Sequence, residues 1–178
     1  MTRPPAIHVR AARSEDATGI AKLAVQFAGG VLASREAREA AVLATILASP
    51  EKHLVLVVEA SDEQVIAFGR ASWLSPPPEA PHHSIPDGWY LLGLLVDERW
   101  RRQGIAHTLT TRRLEWLASR SPECYYFTSE DNTASHTLHK RFGFQPIAER
   151  VHVPGLEKDG PRFVLYRRLH AEHPSLSE

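Results

Sequence analysis

The chain has 178 residues, of which 43% are hydrophobic and 24% are charged, a length and composition that predict one compact domain over residues 1–178. Its 21 basic residues balance 21 acidic residues, so the net charge excludes a global field that would attract nucleic acid or an anionic membrane as a partner. A single cysteine excludes an internal disulfide, and residues 1–12 hold too few consecutive apolar residues for a signal peptide or a membrane span, so we expect a cytoplasmic protein.

The first half of the chain predicts one strand, two helices and a β-hairpin. Ile7, Val9 and Ala11 alternate with their neighbours at the period of a half-buried strand. Ser14, followed by two acidic residues, then begins a helix. The predicted elements are a strand over residues 7–12, a helix from Ser14 to Gly29-Gly30, a helix over residues 35–48, and hairpin strands over residues 53–59 and 65–73.

The second half begins with a proline-rich stretch, residues 74–88, which predicts a surface loop of unusual length. Long loops often gate functional sites. The elements predicted after it are a strand over residues 89–96, a helix over 104–120, a strand over 124–128, a helix over 132–142, two extended stretches over 145–153 and 162–169, and a frayed tail over 170–178. Together the elements predict a mixed α/β fold whose middle is antiparallel.

The helix that follows Gly104 is amphipathic. Counting 100° per residue places six apolar residues on one half of the cylinder, where they can pack on a sheet. Only Arg113 intrudes on this half, and we expect its aliphatic stem to carry the charge outward to solvent. The apolar residues are Ile105, Ala106, Leu109, Leu114, Trp116 and Leu117.

The turn before this helix predicts a phosphate site. Where a strand passes through a glycine into a helix, backbone N–H groups and the positive end of the helix dipole point at one place. A side chain at Gly104 would block an anion from that backbone, and Arg101 and Arg102 add positive charge. The alternative is a glycine that only ends a loop, beside solvated arginines.

Two segments carry a resemblance to a known family. The stretch from Val96 to Ala106 resembles the acetyl-CoA signature R/Q-x-x-G-x-G/A of the GCN5-related N-acetyltransferases (GNAT), which follows a strand ending in Val. Residues 132–144 are similar to a second motif of that family, N-x-x-A/S-x-x-L-Y/H-x-x-x-G-F, with Ser135 at its small-residue position. The predicted order β-α-α-β-β-β-α-β-α-β-β resembles the family's fold over about residues 7–169. The resemblance implies a single mixed α/β domain with a mostly antiparallel sheet flanked by helices.

The resemblance also implies which residues bind acetyl-CoA. The coenzyme A diphosphate would rest on the backbone N–H groups of residues 102–107, with Arg101 beginning the loop, and the pantetheine would pair with the strand segment 94–96. Gly93 is typical of a bulge there, or of a crowded neighbour. The implied cofactor residues are Leu94, Leu95, Val96, Arg101, Arg102, Gln103, Gly104, Ile105, Ala106, His107, Asn132 and Ser135.

Acetyl transfer to an amine needs a neutral amine, a stabilised oxyanion and a proton for the departing thiolate. Many family members use a tyrosine as the proton donor, and this chain has His139 at that position, as some branches do. Its imidazolium or a neutral imidazole N–H can donate to a thiolate; the alternative is an ordinary histidine.

The general base is less clearly marked, because residues 90–96 contain no acid where the family often places a glutamate. Glu130 is the preferred candidate. Asp131 and Tyr126 lie nearby in sequence, residues 97 and 98 are expected to be solvated loop charges, and loss of the amine proton through water is the remaining alternative.

The remaining residues of interest are the candidate acceptor pocket, the paired histidines and the cysteine. Trp73, Trp89 and Tyr90, with the proline-rich loop, are predicted to line the acceptor pocket, although each also suits core filling. No metal site is predicted, because neither His82-His83 nor the pair His136 and His139 has further ligands at a usual spacing. Cys124 is expected to be a core residue.

We therefore predict an acetyl-CoA-dependent N-acetyltransferase that passes the acetyl group directly to a primary amine on a small molecule or peptide. It would have no nucleic-acid or membrane partner, and a homodimer would match the dimers common in the family. An alternative is a non-catalytic acyl-CoA-binding or regulatory module on the same fold. A nucleotide-binding protein is disfavoured, because the G-K-S/T ending of a P-loop is absent.

Overall fold

The computed structural model describes residues 7–27, 33–61, 63–156 and 162–170, with the side chains of residues 26–27 and 33–37 outside that description. The elements in chain order are β1 (His8–Ala11), α1 (Ala17–Phe27), α2 (Ala33–Leu47), β2 (His53–Glu59), β3 (Val65–Leu74), β4 (Gly88–Val96), α3 (Ile105–Ala118), β5 (Glu123–Ser129), α4 (Thr133–Lys140), β6 (Gln145–Glu149) and β7 (Phe163–Leu169). Short 3-10 helices precede α1 and follow β4. The predicted mixed α/β order is confirmed.

The strands form one sheet in the order β1-β2-β3-β4-β5-β7-β6. Antiparallel pairs join β1 to β2, β2 to β3, β5 to β7 and β6 to β7. The pair β4 and β5 is parallel, with Tyr90 opposite Tyr125. A parallel pair needs a crossover connection, which α3 supplies.

The chain divides into two compact units, residues 1–72 with 92–114 and residues 73–91 with 115–178. In the first unit β2 is covered on both faces. Val55 and Val57 pack in a cluster with α1 and α2, while Leu56 and Val58 belong to a second cluster with α3. Burial on both faces explains why residues 54–58 read as an unbroken apolar run.

A partly buried ion-pair network lies at the start of the first unit. The Arg10 guanidinium donates to Asp16 Oδ2 at 2.7 Å and to Asp16 Oδ1 at 2.8 Å, and also to Glu59. Asp16 Oδ2 accepts from Arg13 N at 2.6 Å as well, so the carboxylate also caps the helix start. Hydrogen bonds from Arg10 hold the pKa of Asp16 below its usual range.

In the second unit the proline-rich loop is fixed to the segment that follows β6. Ser84 and His152 form a parallel bridge, with Ile85 N donating to His152 O at 3.0 Å and His152 N donating to His83 O at 3.0 Å. Ile85 and Val153 are buried. The predicted long loop is confirmed, and it is anchored on this segment.

Several sequence predictions are wrong in detail. Arg113 is fully buried, so its charge does not reach solvent. His170 is buried and its backbone N–H donates to Pro122 O at 2.7 Å, so the frayed tail does not begin at this residue. Ile7 is 41% exposed although it was expected to face inward. The predicted helix stop at Gly29-Gly30 and residues 171–178 lie outside the described residues.

Candidate functional site

The predicted phosphate turn lies in the first unit between β4 and α3. Asp97 begins the turn by accepting a hydrogen bond from Arg99 N at 3.0 Å and from Arg99 Nε at 3.1 Å. These bonds hold the pKa of Asp97 below its usual range. Asp97 is therefore a capping residue rather than the solvated charge we expected, and it is poorly suited to accept a proton.

The turn contains two residues in the left-handed conformation. Arg102 has φ +65° and Gly104 has φ +81°. Glycine adopts this conformation readily, whereas a non-glycine residue is strained there by about 1–3 kcal/mol. Strained backbone of this kind clusters at ligand sites, and turns that mix right- and left-handed residues form anion-binding concavities.

The space above Gly104 is open, as a bound diphosphate would require. A Cβ at Gly104 would meet no heavy atom within 4 Å, so the position is open, and a side chain would fill the place that an anion needs. Ile105, the next residue, is buried and anchors the start of α3. The first N–H groups of an α-helix have no intrahelical acceptor, so they can bind an anion.

The turn residues from Arg101 to Gly104 are exposed, and so is His107. Arg101 folds back, and its Nε donates to Val96 O at 3.2 Å while its Nη1 approaches Glu98 Oε1 at 3.4 Å. The Arg101 guanidinium is thus held on Val96 O and beside the Glu98 carboxylate. Gln103 Nε2 donates to Arg99 O at 3.4 Å.

The β4 segment before the turn is irregular at Gly93. Gly93 has φ +52°, and a Cβ there would lie 3.3 Å from Phe68 Cε2. Both readings of this glycine are thus supported, a break in the strand and a close neighbour. Leu94 and Val96 pack against the cluster beside α3, while Leu95 packs against the cluster beside α1 and α2.

The second motif lies in the second unit, around α4. Asn132 is the N-cap rather than a helical residue, and its side chain accepts from Ser135 N at 3.1 Å. Asn132 is exposed and Ser135 is half-buried. The helix ends at Lys140, two residues before the predicted end at Phe142. The expectation that Asn132 shares one helix face with Ser135 and His139 is therefore wrong.

His139 is the buried residue of α4, with 6% of its surface exposed, whereas Leu138 is only half-buried. Its Nδ1 lies 2.9 Å from Ser135 O and 3.3 Å from Ser135 Oγ. A carbonyl oxygen only accepts, so Nδ1 carries a proton and donates to it. In the neutral ring Nε2 is then the basic nitrogen, and only the imidazolium carries a second N–H.

Aromatic rings fix the orientation of His139. Tyr126 stacks on it with ring centroids 3.9 Å apart, and Phe144 meets it edge-on at 5.5 Å. Tyr166 stacks on the far side of Tyr126 at 4.6 Å. Burial raises the pKa of Tyr126, and its ring packs against those of His139 and Tyr166.

Tyr166 and His136 form a pair that sequence reasoning did not find. Tyr166 Oη donates to His136 Nδ1 at 2.8 Å, and His136 Nε2 lies 3.2 Å from both Ser129 O and Glu130 O. Both ring nitrogens of His136 are thus engaged by uncharged groups. No motif marks Tyr166, and only the cross-strand register that pairs it with Tyr126 brings it to this place.

The candidate bases and acceptor residues of the second unit differ in exposure. Glu130 and Asp131 are exposed. Trp73 is 41% exposed and meets Trp89 edge-on at 5.7 Å, whereas Trp89 is buried. Tyr90 is fully buried and its hydroxyl donates to Pro86 O at 2.7 Å.

Trp116, which the helix pattern places on the apolar half of α3, is half-buried. It lies edge-on to Trp89 at 5.1 Å, with the Arg120 guanidinium 3.8 Å from its ring centroid. Cys124 is fully buried, as expected for a core residue.

Within the described ranges, no group of three or more His, Cys, Asp or Glu side chains is arranged to hold a metal ion. No helix in the part of the chain that the structure describes is both long and apolar enough to cross a membrane.

Residues 17–144 match the sequence profile of the acetyltransferase (GNAT) family. The chain belongs to the GNAT acetyltransferase family. Members of this family use acetyl-CoA as the acetyl donor, and amines on proteins or small molecules are their acceptors. No curated protein matches this GNAT sequence significantly.

Solved GNAT structures share the fold. An N-acetyltransferase from Staphylococcus aureus Mu50 is similar with TM-score 0.69 and 19% identity, over 93% of this chain and 99% of that one. The PaiA N-acetyltransferase from Thermoplasma acidophilum, in complex with coenzyme A, gives 0.64 and 15%, over 92% and 99%. The ribosomal-protein-S18-alanine N-acetyltransferase from Escherichia coli gives 0.66 and 14%, over 97% and 99%.

Proposed function

We propose that this GNAT protein is an N-acetyltransferase that transfers the acetyl group of acetyl-CoA directly to a primary amine on a small molecule or peptide. The observation that carries the proposal is Gly104, a left-handed glycine in the family's signature position with open space beyond it at the start of α3. Acetyl-CoA supplies a thioester carbonyl and a thiol leaving group. We also propose that residues 1–178 form a single N-acetyltransferase domain and that the protein is cytoplasmic.

The backbone of residues 102–107 would hold the diphosphate, with the charges of Arg101 and Arg102 beside it. The β4 segment from Leu94 to Val96 would hold the pantetheine, following the family resemblance. Ser135 would add a hydrogen bond from its hydroxyl. Asn132 would act through its amide nitrogen, because its oxygen already accepts from Ser135 N.

His139 is the proposed proton donor to the departing thiolate. Its Nδ1 proton is directed at Ser135 O, so the donor must be Nε2–H of the imidazolium. A neutral ring with this tautomer would only accept a proton at Nε2. Activity therefore needs the imidazolium form of His139. Of the two proton donors that the sequence allowed, the imidazolium and the neutral imidazole, we propose the imidazolium.

The amine must lose a proton before or during its attack. Glu130 stays our proposed acceptor of this proton, because it is an exposed carboxylate directly after β5, whereas Asp97 is bound by Arg99 and has a lowered pKa. Trp73 and Trp89 would line the approach of the acceptor. Tyr90 is fully buried, so it would contribute to this site through packing only.

An acetylation screen tests the proposal. The purified protein is mixed with acetyl-CoA and a panel of small primary amines and peptides with free N-termini, and both thiol release and product mass are measured. We expect amine-dependent thiol release together with a product heavier by one acetyl group. Binding of acetyl-CoA without any product across the panel would instead support the non-catalytic module.

A further inference from the structure

Arg113 is a charged side chain in the interior of the first unit, one of its most buried residues. It lies on α3 with no exposed surface. Buried charges are costly unless hydrogen bonds compensate for lost water. A position that reads as an intrusion on the apolar helix face therefore needs a specific reason.

The guanidinium of Arg113 binds mainly to backbone carbonyls. Nε donates to Leu109 O at 3.1 Å, and Nη2 donates to Thr110 Oγ1 at 3.1 Å. Nη1 donates to Arg70 O on β3 at 3.0 Å and to Leu92 O on β4 at 3.3 Å. One nitrogen thus joins carbonyls from two strands that are neighbours in the sheet.

The carbonyl on β4 belongs to the residue directly before Gly93. A left-handed residue inside a strand breaks the regular alternation of N–H and C=O groups, as in a bulge. Gly93 has φ +52°, so the peptide groups around it leave the regular pattern and need other partners. Arg113 supplies a donor to Leu92 O at this break.

On β3, Gly69 lies against the same guanidinium. A Cβ at Gly69 would lie 3.1 Å from both Cζ and Nε of Arg113 and 3.4 Å from Leu94 Cδ1. A glycine at this position leaves room for the guanidinium, and the same space borders Leu94. Gly69 therefore lies against both the Arg113 guanidinium and Leu94, a residue of the β4 segment proposed to bind pantetheine.

From this geometry we propose that Arg113 is a positioning residue for coenzyme A binding: it fixes β4 at the Leu92–Gly93 break and so holds residues 94–96 in the conformation that receives the pantetheine. The inference rests on the proposed function. It predicts that loss of the Arg113 donors weakens coenzyme A binding without removing any group that touches the ligand.

Calorimetric titration with coenzyme A tests this role, with thermal unfolding of each variant beside it. We expect Arg113→Met to raise the Kd about tenfold, because β4 is then no longer held in the conformation that binds coenzyme A. Arg113→Lys keeps one donor nitrogen at this depth, so its Kd should rise less. Gly69→Ala is an independent variant that keeps Arg113 but crowds its guanidinium, and its Kd should also rise.

Thr110→Val is the matched control. It removes the acceptor of Nη2 and the hydroxyl that donates to Ala106 O at 2.8 Å, both within α3, and it leaves both strand carbonyls with their donor. We expect a lower Tm with a Kd within about twofold of the wild type.

An unchanged Kd in Arg113→Met, or in Gly69→Ala should the first variant not fold, would overturn the inference while leaving the proposed function intact. If Thr110→Val raised the Kd of coenzyme A as much as Arg113→Met, with the two variants having the same Tm, the inference would also be overturned. A wild type that binds no coenzyme A would overturn the proposed function together with this inference.

Discussion

At the scale of single residues, His139 shows how a hydrogen bond limits a catalytic role. The motif register alone allowed either a neutral or a charged proton donor. The Nδ1 bond to Ser135 O leaves Nε2 as the nitrogen that titrates, and Tyr126 fixes the plane of the ring. His136, one turn earlier, has both nitrogens engaged by Tyr166 and by backbone carbonyls, so the two histidines are not equivalent.

Replacement of His139 tests the proton donor. In the wild type, kcat should fall as the pH rises, because deprotonation of the imidazolium removes the N–H at Nε2 that donates to the thiolate. His139→Gln should lower kcat about 100-fold and remove that pH dependence, with little change in the KM of acetyl-CoA. Steady-state kinetics across pH measure both effects. His136→Gln is the control and should keep the pH dependence; a full pH dependence in His139→Gln would assign it to another group.

The Asp16 carboxylate makes a prediction about stability and pH. Its pKa is lowered in the folded state by Arg10, so its contribution is complete above the unfolded pKa and is lost as the pH falls through the lower folded pKa. Asp16→Asn should lower the free energy of unfolding by about 3 kcal/mol at pH 7, because it leaves Arg10 without its main partner. Urea unfolding should show this difference shrinking below about pH 4.

Glu15 offers the matched control for Asp16. Its side chain is 66% exposed and lies 4.0 Å from Arg13, so Glu15→Gln should change the free energy of unfolding by less than about 0.5 kcal/mol. A pH-independent difference between the wild type and Asp16→Asn would show that the carboxylate stabilises through packing rather than charge.

At the scale of secondary structure, the elements were predictable and their ends were not. Periodicity and glycine positions predicted both hairpin strands and α3 closely, because those signals are local. The predicted end of α4 at Phe142 is wrong: the helix stops at Lys140, Gly143 adopts φ +80°, and Phe144 N turns back to His139 O at 3.4 Å. Burial of Arg113 was unpredictable because two of its acceptors, Arg70 O and Leu92 O, lie on β3 and β4, far away in sequence.

Asn132 provides an element-scale test, because a cap and a ligand contact respond differently to replacement. Asn132→Ala should destabilise the protein by about 1 kcal/mol through loss of the bond from Ser135 N. Asn132→Ser keeps a capping oxygen and should restore the Tm. Thermal unfolding and coenzyme A titration are measured together. A Kd that stays weak in Asn132→Ser despite a restored Tm would support a direct contact from the Asn132 amide.

At the scale of the whole molecule, the chain's resemblance to the GNAT family lies in two separate motifs, one in each compact unit. The first ends in the Gly104 turn and the second contains His139. The order of the eleven elements followed from the sequence because each has its own periodicity and caps. The Tyr126, Tyr166 and His136 contacts did not follow from it, because they depend on the register between β5 and β7.

The most direct measurement compares coenzyme A binding by calorimetry in the wild type, Gly104→Ala and Gly155→Ala. Gly155 matches Gly104 in conformation, with φ +82° against +81°, and in both a Cβ would meet nothing within 4 Å. The strain of each substitution, about 1–3 kcal/mol, should therefore be similar. We predict that the wild type and Gly155→Ala bind coenzyme A and that Gly104→Ala binds it at least about tenfold more weakly. Equal affinities in the two variants, or no binding by the wild type, would contradict the account.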